Sequence, residues 1–240
     1  MKTVIIIGAS SGLGRELAKQ YINKGYRLGI LARRIDALEE IASFAPDRVV
    51  VGNLDISSDY ETVFDSYNKF LNAFEHIDLI IHVAGIGSVN HELELNKELT
   101  TNDVNVHGFT TITIASIQYF LKQRSGHYAA VTSIVALSGR ADCPAYNASK
   151  AYQSNYIEAM RQYVYRQKAD VVVSDIQPGF IDTGKAKGDK FFWMASTQKA
   201  AKQIIYALEK RREHVYITRR WRLIAWIIKI TPRFLRKRYN

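Results

Sequence analysis

Ser133, Tyr146 and Lys150 stand 13 and 4 residues apart in this 240-residue chain. A separation of four puts Tyr146 and Lys150 one turn apart on one face of a helix. A phenol ordinarily gives up its proton near pH 10. A lysine ammonium a few ångströms away favours the phenolate, so the pair is expected to bring that pKa down toward neutrality. Such a group suits proton transfer to or from a carbonyl or alcohol oxygen. Ser133 adds a hydroxyl that can hold that oxygen against the phenol. The spacing alone is weak, because Tyr206 and Lys210 repeat it on an amphipathic stretch (Ala200, Ile204, Ile205, Leu208), with Trp193 where the serine would be. An independent sign comes from the N-terminus.

Residues 3–7 read Thr-Val-Ile-Ile-Ile, a β-branched run expected of a strand buried on both faces of a parallel sheet. Gly8-Ala9-Ser10-Ser11-Gly12-Leu13-Gly14 follows, and then a helical pattern of Leu17, Ala18, Tyr21 and Ile22. A glycine-rich turn between strand and helix lets the backbone approach a pyrophosphate at the helix N-terminus. The spacing is G-x-x-x-G-x-G, and its context favours a nucleotide site over a plain turn. The next strand, Arg27 to Leu31, leads into Ala32-Arg33-Arg34. An NAD-preferring site places an acid there for the ribose 2′-hydroxyl. Two guanidinium groups suit a 2′-phosphate instead, which favours NADP(H) over NAD(H). The competing reading makes Arg33 and Arg34 solvated residues opening the next helix, with Asp36 as a pairing partner.

Together these residues resemble the short-chain dehydrogenase/reductase family, from Thr3 to about Thr183. Gly8, Gly12 and Gly14 match its glycine motif, with Ser10, Ser11 and Leu13 in the same turn. Asp55, followed by Ile56, matches the acid that contacts the adenine. Ala84-Gly85 matches the end of its Asn-Asn-Ala-Gly motif. Asn105, in Val104-Asn105-Val106, matches its structural and proton-relay asparagine. Ser133, Tyr146 and Lys150 match its catalytic set. Pro178-Gly179, with Ile181 and Thr183 beyond, matches the loop at the nicotinamide end. The chain departs from the pattern at Ile7, where a threonine is common, and at His82-Val83, which replaces Asn-Asn. In the family that pair braces the central strands. A ring nitrogen of His82 can do so and the Val83 side chain cannot, so His82 is read as structural.

The resemblance implies a single three-layer, doubly wound α/β domain of the Rossmann-like type, with about seven parallel strands. It also implies an NADPH-dependent reduction of a carbonyl, or its reverse. Asn105 would order a water that resupplies the proton through Lys150. Tyr146, Lys150 and Asn105 would also touch the cofactor, and the protein would be a homodimer or homotetramer. A non-catalytic NADP(H)-binding sensor or scaffold is the alternative, and it has no need of Ser133.

The elements that must position these residues alternate along the chain. Strands are expected near 3–7, 27–31, 48–52, 77–83, 127–132, 170–176 and 214–217. Helices are expected near 12–24, 35–44, 58–74, 98–123, 145–167 and 197–211. This alternation gives right-handed crossovers and a parallel sheet covered on both faces. A segment of about 183–196, with Phe191, Phe192, Trp193 and Met194, reads as a lid. With Val135, Ala136 and Leu137 it favours an apolar or acyl-bearing substrate. The one cysteine, Cys143, excludes an intrachain disulfide and suits a reducing, cytoplasmic setting. Three residues before Tyr146, it reads as a small pocket-lining residue rather than a nucleophile. We find no signal-peptide pattern and no apolar run long enough to span a bilayer.

The formal net charge is +10. Eleven Lys/Arg and one acid, Glu213, fall from residue 210 onward, so that segment carries the whole excess. We therefore divide the chain into a 1–209 domain and a basic 210–240 extension. The extension also holds Trp221, Leu223, Ile224, Trp226, Ile227, Ile228 and Ile230, a helical stretch that Pro232 should end. Ten helical residues reach about 15 Å, half a bilayer's apolar core. Packing on its own domain or on a second subunit is the first reading. Peripheral contact with an anionic membrane through 219–238 is the second. Nucleic acid is disfavoured, because the basic residues alternate with aliphatics.

Overall fold

The computed structural model describes residues 1–182, 193–232 and 235. The chain runs β1 (Thr3–Ile7), α1 (Gly12–Asn23), β2 (Arg27–Ala32), α2 (Ile35–Ala42), β3 (Val49–Asn53), α3 (Tyr60–Leu71), β4 (Leu79–His82) and α4 (Leu95–Asn102). A π-helical segment, Asp103–Gly108, joins α4 to α5 (Phe109–Gln123). Then come β5 (Ser125–Val131), a 3-10 turn (Ile134–Leu137), α6 (Pro144–Arg166), β6 (Asp170–Pro178), β7 (Ile181–Asp182), β8 (Ala195–Ser196), α7 (Thr197–Glu209), β9 (His214–Ile217) and α8 (Trp221–Ile230).

Seven strands form one sheet in the order β3-β2-β1-β4-β5-β6-β9, parallel at every pairing. This is the Rossmann-like architecture. The order reverses at β1, so the crevice for a ligand lies beyond the carboxyl ends of β1 and β4. The unbroken apolar run of β1 has its reason here. Val4 and Ile6 pack with Leu17 and Tyr21 of α1 and Ile204 of α7 on one face. Ile5 and Ile7 pack with Tyr67 of α3, Ile112 of α5 and Ile157 of α6 on the other.

Several element ends differ from expectation for local reasons. The helix expected at 58–74 covers only Tyr60–Leu71, because the Asp59 carboxylate caps it by accepting the Thr62 N–H at 2.9 Å. The strand expected at 77–83 covers only Leu79–His82. The Ile77 N–H donates to the Gln123 side chain, while those of Val83 and Ala84 both turn onto the Ile7 carbonyl. The helix expected at 98–123 begins three residues earlier and widens to π geometry around Asn105. At the end of that wide turn a Cβ on Gly108 would stand 2.1 Å from the Ile56 carbonyl oxygen. Only glycine lets the helix come so close to the segment after β3. Among the described residues, no helix is long and apolar enough to cross a membrane.

Candidate active site

The glycine turn after β1 is shaped by contacts that exclude side chains. Gly8 has φ +91° and Gly12 φ +53°, both left-handed. A Cβ on Gly14 would stand 2.2 Å from the Gly8 carbonyl oxygen, so α1 starts in backbone contact with its own turn. Asp59 caps α3 and Ser196 caps α7, but no side chain caps α1 and no acid sits in its first turn. The first N–H groups of α1, including those of Leu13 and Gly14, therefore face the turn without a side-chain acceptor. That is the chemistry of an anion cradle, and it fits a dinucleotide diphosphate.

Arg34 Nη2 donates to Ser10 Oγ at 3.1 Å, which closes one side of the turn. Arg33 Nη1 lies 3.8 Å from Asp55 Oδ2, with the Arg33 side chain largely in solvent and Asp55 half-buried. Arg34 also precedes the first residue of α2, so the two sequence readings describe one place. Asp55 Oδ1 accepts from the backbone N–H (3.0 Å) and hydroxyl (2.6 Å) of Ser57. Ile56 is buried against the Gly108 turn. Ala84 abuts Gly8, and a Cβ on Gly85 would come 3.2 Å from Asn105 Oδ1 and 3.3 Å from Lys150 Nζ.

The structure brings Ser133, Tyr146, Lys150 and Asn105 together. Ser133, extended after β5, stands close enough to the Tyr146 phenol to draw its pKa down, and its Oγ accepts the Val135 N–H at 3.3 Å. Lys150 is buried. Its Nζ donates to the Val131 carbonyl at 3.2 Å and to Gln153 Oε1 at 2.8 Å, and stands 5.9 Å from the centre of the Tyr146 ring. The Asn105 amide is a clamp. Its oxygen accepts the Ile86 N–H at 2.9 Å, and its nitrogen donates to the Ile86 carbonyl at 2.7 Å and to Ser149 Oγ at 3.0 Å. It thus ties the segment after β4 to α6.

Three positioning residues escape the sequence reading. Gln153 bridges Lys150 to the Asn105 carbonyl, donating to it at 2.8 Å. Its place three residues past Lys150 on α6 was the available signal. Glu98 fastens the start of α6, accepting the Ala145 N–H at 2.8 Å through one oxygen and the Asn90 amide at 2.6 Å through the other. Gly87 lies flat on the Tyr146 ring, where a Cβ would meet three ring carbons at 2.5–2.9 Å.

The electrostatics correct one expectation. Burial pushes the Tyr146 phenol above its ordinary range, and the Ser133 hydroxyl only partly opposes it. The Lys150 charge does not bring it down as the spacing suggested, because Lys150 is itself desolvated and pushed down to about 8, with buried Asp175 working the other way. Asp175 is held by Thr132 Oγ1 (2.5 Å), Ser154 Oγ (2.6 Å) and Gln177 Nε2 (2.9 Å). His82 is pushed down to about 3 by burial and is neutral. Its Nδ1 meets the Tyr128 hydroxyl at 3.1 Å, and that hydroxyl meets Thr113 at 2.8 Å. The bracing thus joins β4, β5 and α5. Burial and neighbouring Asp142 push the Cys143 thiol up, the opposite of nucleophile activation.

Pro178 ends β6, and the Gly179 N–H donates to the Ile217 carbonyl at 2.6 Å. The Trp221 indole covers Gly179 so closely that a Cβ there would lie 2.0 Å from it. Ile181 pairs with Ala195, rooting both ends of the expected lid in a two-stranded sheet. Thr183 and the lid residues Phe191 and Phe192 lie outside the described residues. Trp193 meets Trp221 edge-on at 6.3 Å. With Ile134, Val135, Leu137 and Phe180 these tryptophans form an apolar cluster directly after Ser133.

The comparisons agree with this geometry. The family model described as short chain dehydrogenase matches residues 2–193. An uncharacterised oxidoreductase of Staphylococcus epidermidis is 30% identical over 86% of this chain and 90% of its own. The 11-beta-hydroxysteroid dehydrogenase A of Sesamum indicum is 33% identical over 80% of this chain and 55% of its own. A short chain dehydrogenase from Burkholderia cenocepacia, crystallised in complex with NADP, shares the fold with a TM-score of 0.83 at 21% identity, over 99% of this chain and 98% of its own.

Proposed function

The chain belongs to the short-chain dehydrogenase family of oxidoreductases, and we propose that it reduces a carbonyl to an alcohol with NADPH, or runs the reverse reaction. The contact of Ser133 with Tyr146, beside buried Lys150 and at the carboxyl end of the sheet, carries this reading. Arg34 on Ser10, with Arg33 alongside, favours the 2′-phosphate of NADP(H) over the bare ribose of NAD(H). Gly8, Ser11, Gly12, Leu13 and Gly14 would hold the diphosphate. Asp55 and Ile56 would hold the adenine, and Ala84, Gly85, Asn105, Lys150, Pro178, Gly179 and Ile181 the nicotinamide end. When bound, the nicotinamide supplies or accepts the hydride.

The side chains divide the remaining work. Ser133 and Tyr146 donate hydrogen bonds to the substrate oxygen, and Tyr146 passes it a proton. A phenol held above its ordinary pKa keeps that proton at neutral pH until the oxygen becomes basic. Lys150 is charged below about pH 8 and, held by the Val131 carbonyl and Gln153, would hold the nicotinamide ribose. Gln153 positions Lys150 against the Asn105 carbonyl, and a water ordered by Asn105 would resupply the proton through Lys150. The apolar cluster after Ser133 favours an apolar or acyl-bearing substrate. We expect a homodimer or homotetramer, and a reducing, cytoplasmic setting for the single cysteine.

The test is NADPH oxidation against 3-oxoacyl thioesters, ketosteroids, long-chain ketones and aldehydes, with wild type beside Tyr146→Phe. Turnover lost in the variant while NADPH still binds supports the reductase. Turnover retained sinks the assignment. Tight NADPH binding without turnover on any carbonyl would transfer the site to the sensor reading.

A further inference from the structure

One face of α8 is committed to the domain. Trp221 and Ala225 are buried in the cluster beside Ser133, with Ile224 packed against them. The opposite face carries Leu223, Trp226, Ile227 and Ile230, which are 57%, 60%, 44% and 59% exposed. At 100° per residue these four fall within one sector of the helix. Arg222 and Lys229 fall together on the flank between the two faces, both exposed.

That flank continues into a cleft of about 910 Å³ between α7, β9 and the start of α8. Lys202, Arg212, His214, Arg219 and Arg222 line it, and no acid among the described residues does. Lys229 is close enough to act on His214 electrostatically. The apolar strip is thus bordered by a cationic band, in a segment that carries the entire +10 of the chain.

We infer that α8 is an interfacial helix that seats this protein on an anionic phospholipid membrane. The exposed Leu223, Trp226, Ile227 and Ile230 enter the headgroup boundary, while Arg222, Lys229 and the cleft take lipid phosphates. Ten residues cannot cross a bilayer but can lie along it. Charge decides against a second copy as the occupant. Self-pairing of α8 would bring two +10 segments together, whereas an anionic surface neutralises them. The inference is independent of the reductase reading, because its test follows binding and not turnover.

The test is co-sedimentation of the full chain with phosphatidylcholine vesicles, with and without phosphatidylglycerol, at low and high salt. The expected result is binding to the anionic vesicles only, released by salt, with a blue shift in tryptophan emission. Trp226→Ser/Ile230→Ser should lose binding by more than tenfold with its melting temperature and NADPH affinity kept, since both side chains are exposed. Arg222→Gln should weaken binding roughly fivefold. No binding by wild type, equal binding to both vesicle types, or undiminished binding by the double variant would overturn the inference. So would a wild-type assembly that fails to bind vesicles and falls apart in the double variant, which would make the occupant a second copy.

Discussion

Replacing Gly87 by alanine should disable Tyr146 while leaving that residue itself unchanged. Gly87 does not have a positive φ, so the backbone accepts alanine and the effect is one of contact. The added Cβ would lie 2.5, 2.8 and 2.9 Å from three carbons of the Tyr146 ring. Carbon atoms settle at about 3.5 Å or more, so the ring must retreat by about 1 Å. The start of α6 is pinned by the Glu98 carboxylate on the Ala145 N–H, so rotation of the side chain, not movement of the helix, absorbs the shift. The phenol then leaves Ser133. A misplacement of about 1 Å costs on the order of a hundredfold in rate, or about 2.7 kcal/mol of barrier. The assay is kcat on whichever carbonyl the panel identifies, beside NADPH affinity by fluorescence and a thermal melt. A hundredfold lower kcat with affinity and melting point kept is the expected outcome. A folded variant within about twofold of wild type would refute the claim that this glycine sets the phenol's position.

Other consequences can be measured directly. Lys150 is held at about 8 in the folded chain against 10.5 unfolded, so the folded state binds fewer protons between those values and its stability rises with pH there. The stability of wild type relative to Lys150→Met should therefore rise by about 3 kcal/mol from pH 7 to pH 11, without cofactor; a flat difference in denaturant melts would contradict the burial argument. Arg34→Glu should weaken NADPH binding by roughly ten- to a hundredfold, the worth of one or two charge-assisted hydrogen bonds, and spare NADH; equal losses for both would remove the 2′-phosphate role. Gly14→Ala places a Cβ 2.2 Å from the Gly8 oxygen, so calorimetry should find no NADPH binding at concentrations that saturate wild type.

The sequence displays what depends on residue type and period. The β-branched run of β1 needed two buried faces, and the sheet provides them. Ser133, Tyr146 and Lys150 could be singled out by residue type and spacing, and Asn105 by the family resemblance; the structure brings the four together. The π turn at Asn105 could not be read, since a widened turn leaves the apolar pattern on both sides intact. Gly87 and Gln153 were missed because each matters through a neighbour distant in the chain or a turn away. The direction of the Tyr146 shift was misjudged for the same reason. Spacing places a charge near the phenol, but burial, a property of the whole fold, outweighs it.

The seal of Trp221 on Gly179 has a consequence for how the protein is made. The glycine turn proposed to cradle a diphosphate lies between the first strand and α1, whereas the wall beside Ser133 is finished by a tryptophan roughly seventy residues after Lys150. At about 5–20 residues per second, a ribosome needs several seconds to cover that distance. The nascent chain passes through a stage in which the glycine turn has been made but the wall beside Ser133 has not. The wall beside Ser133 stays open until α8 has been made.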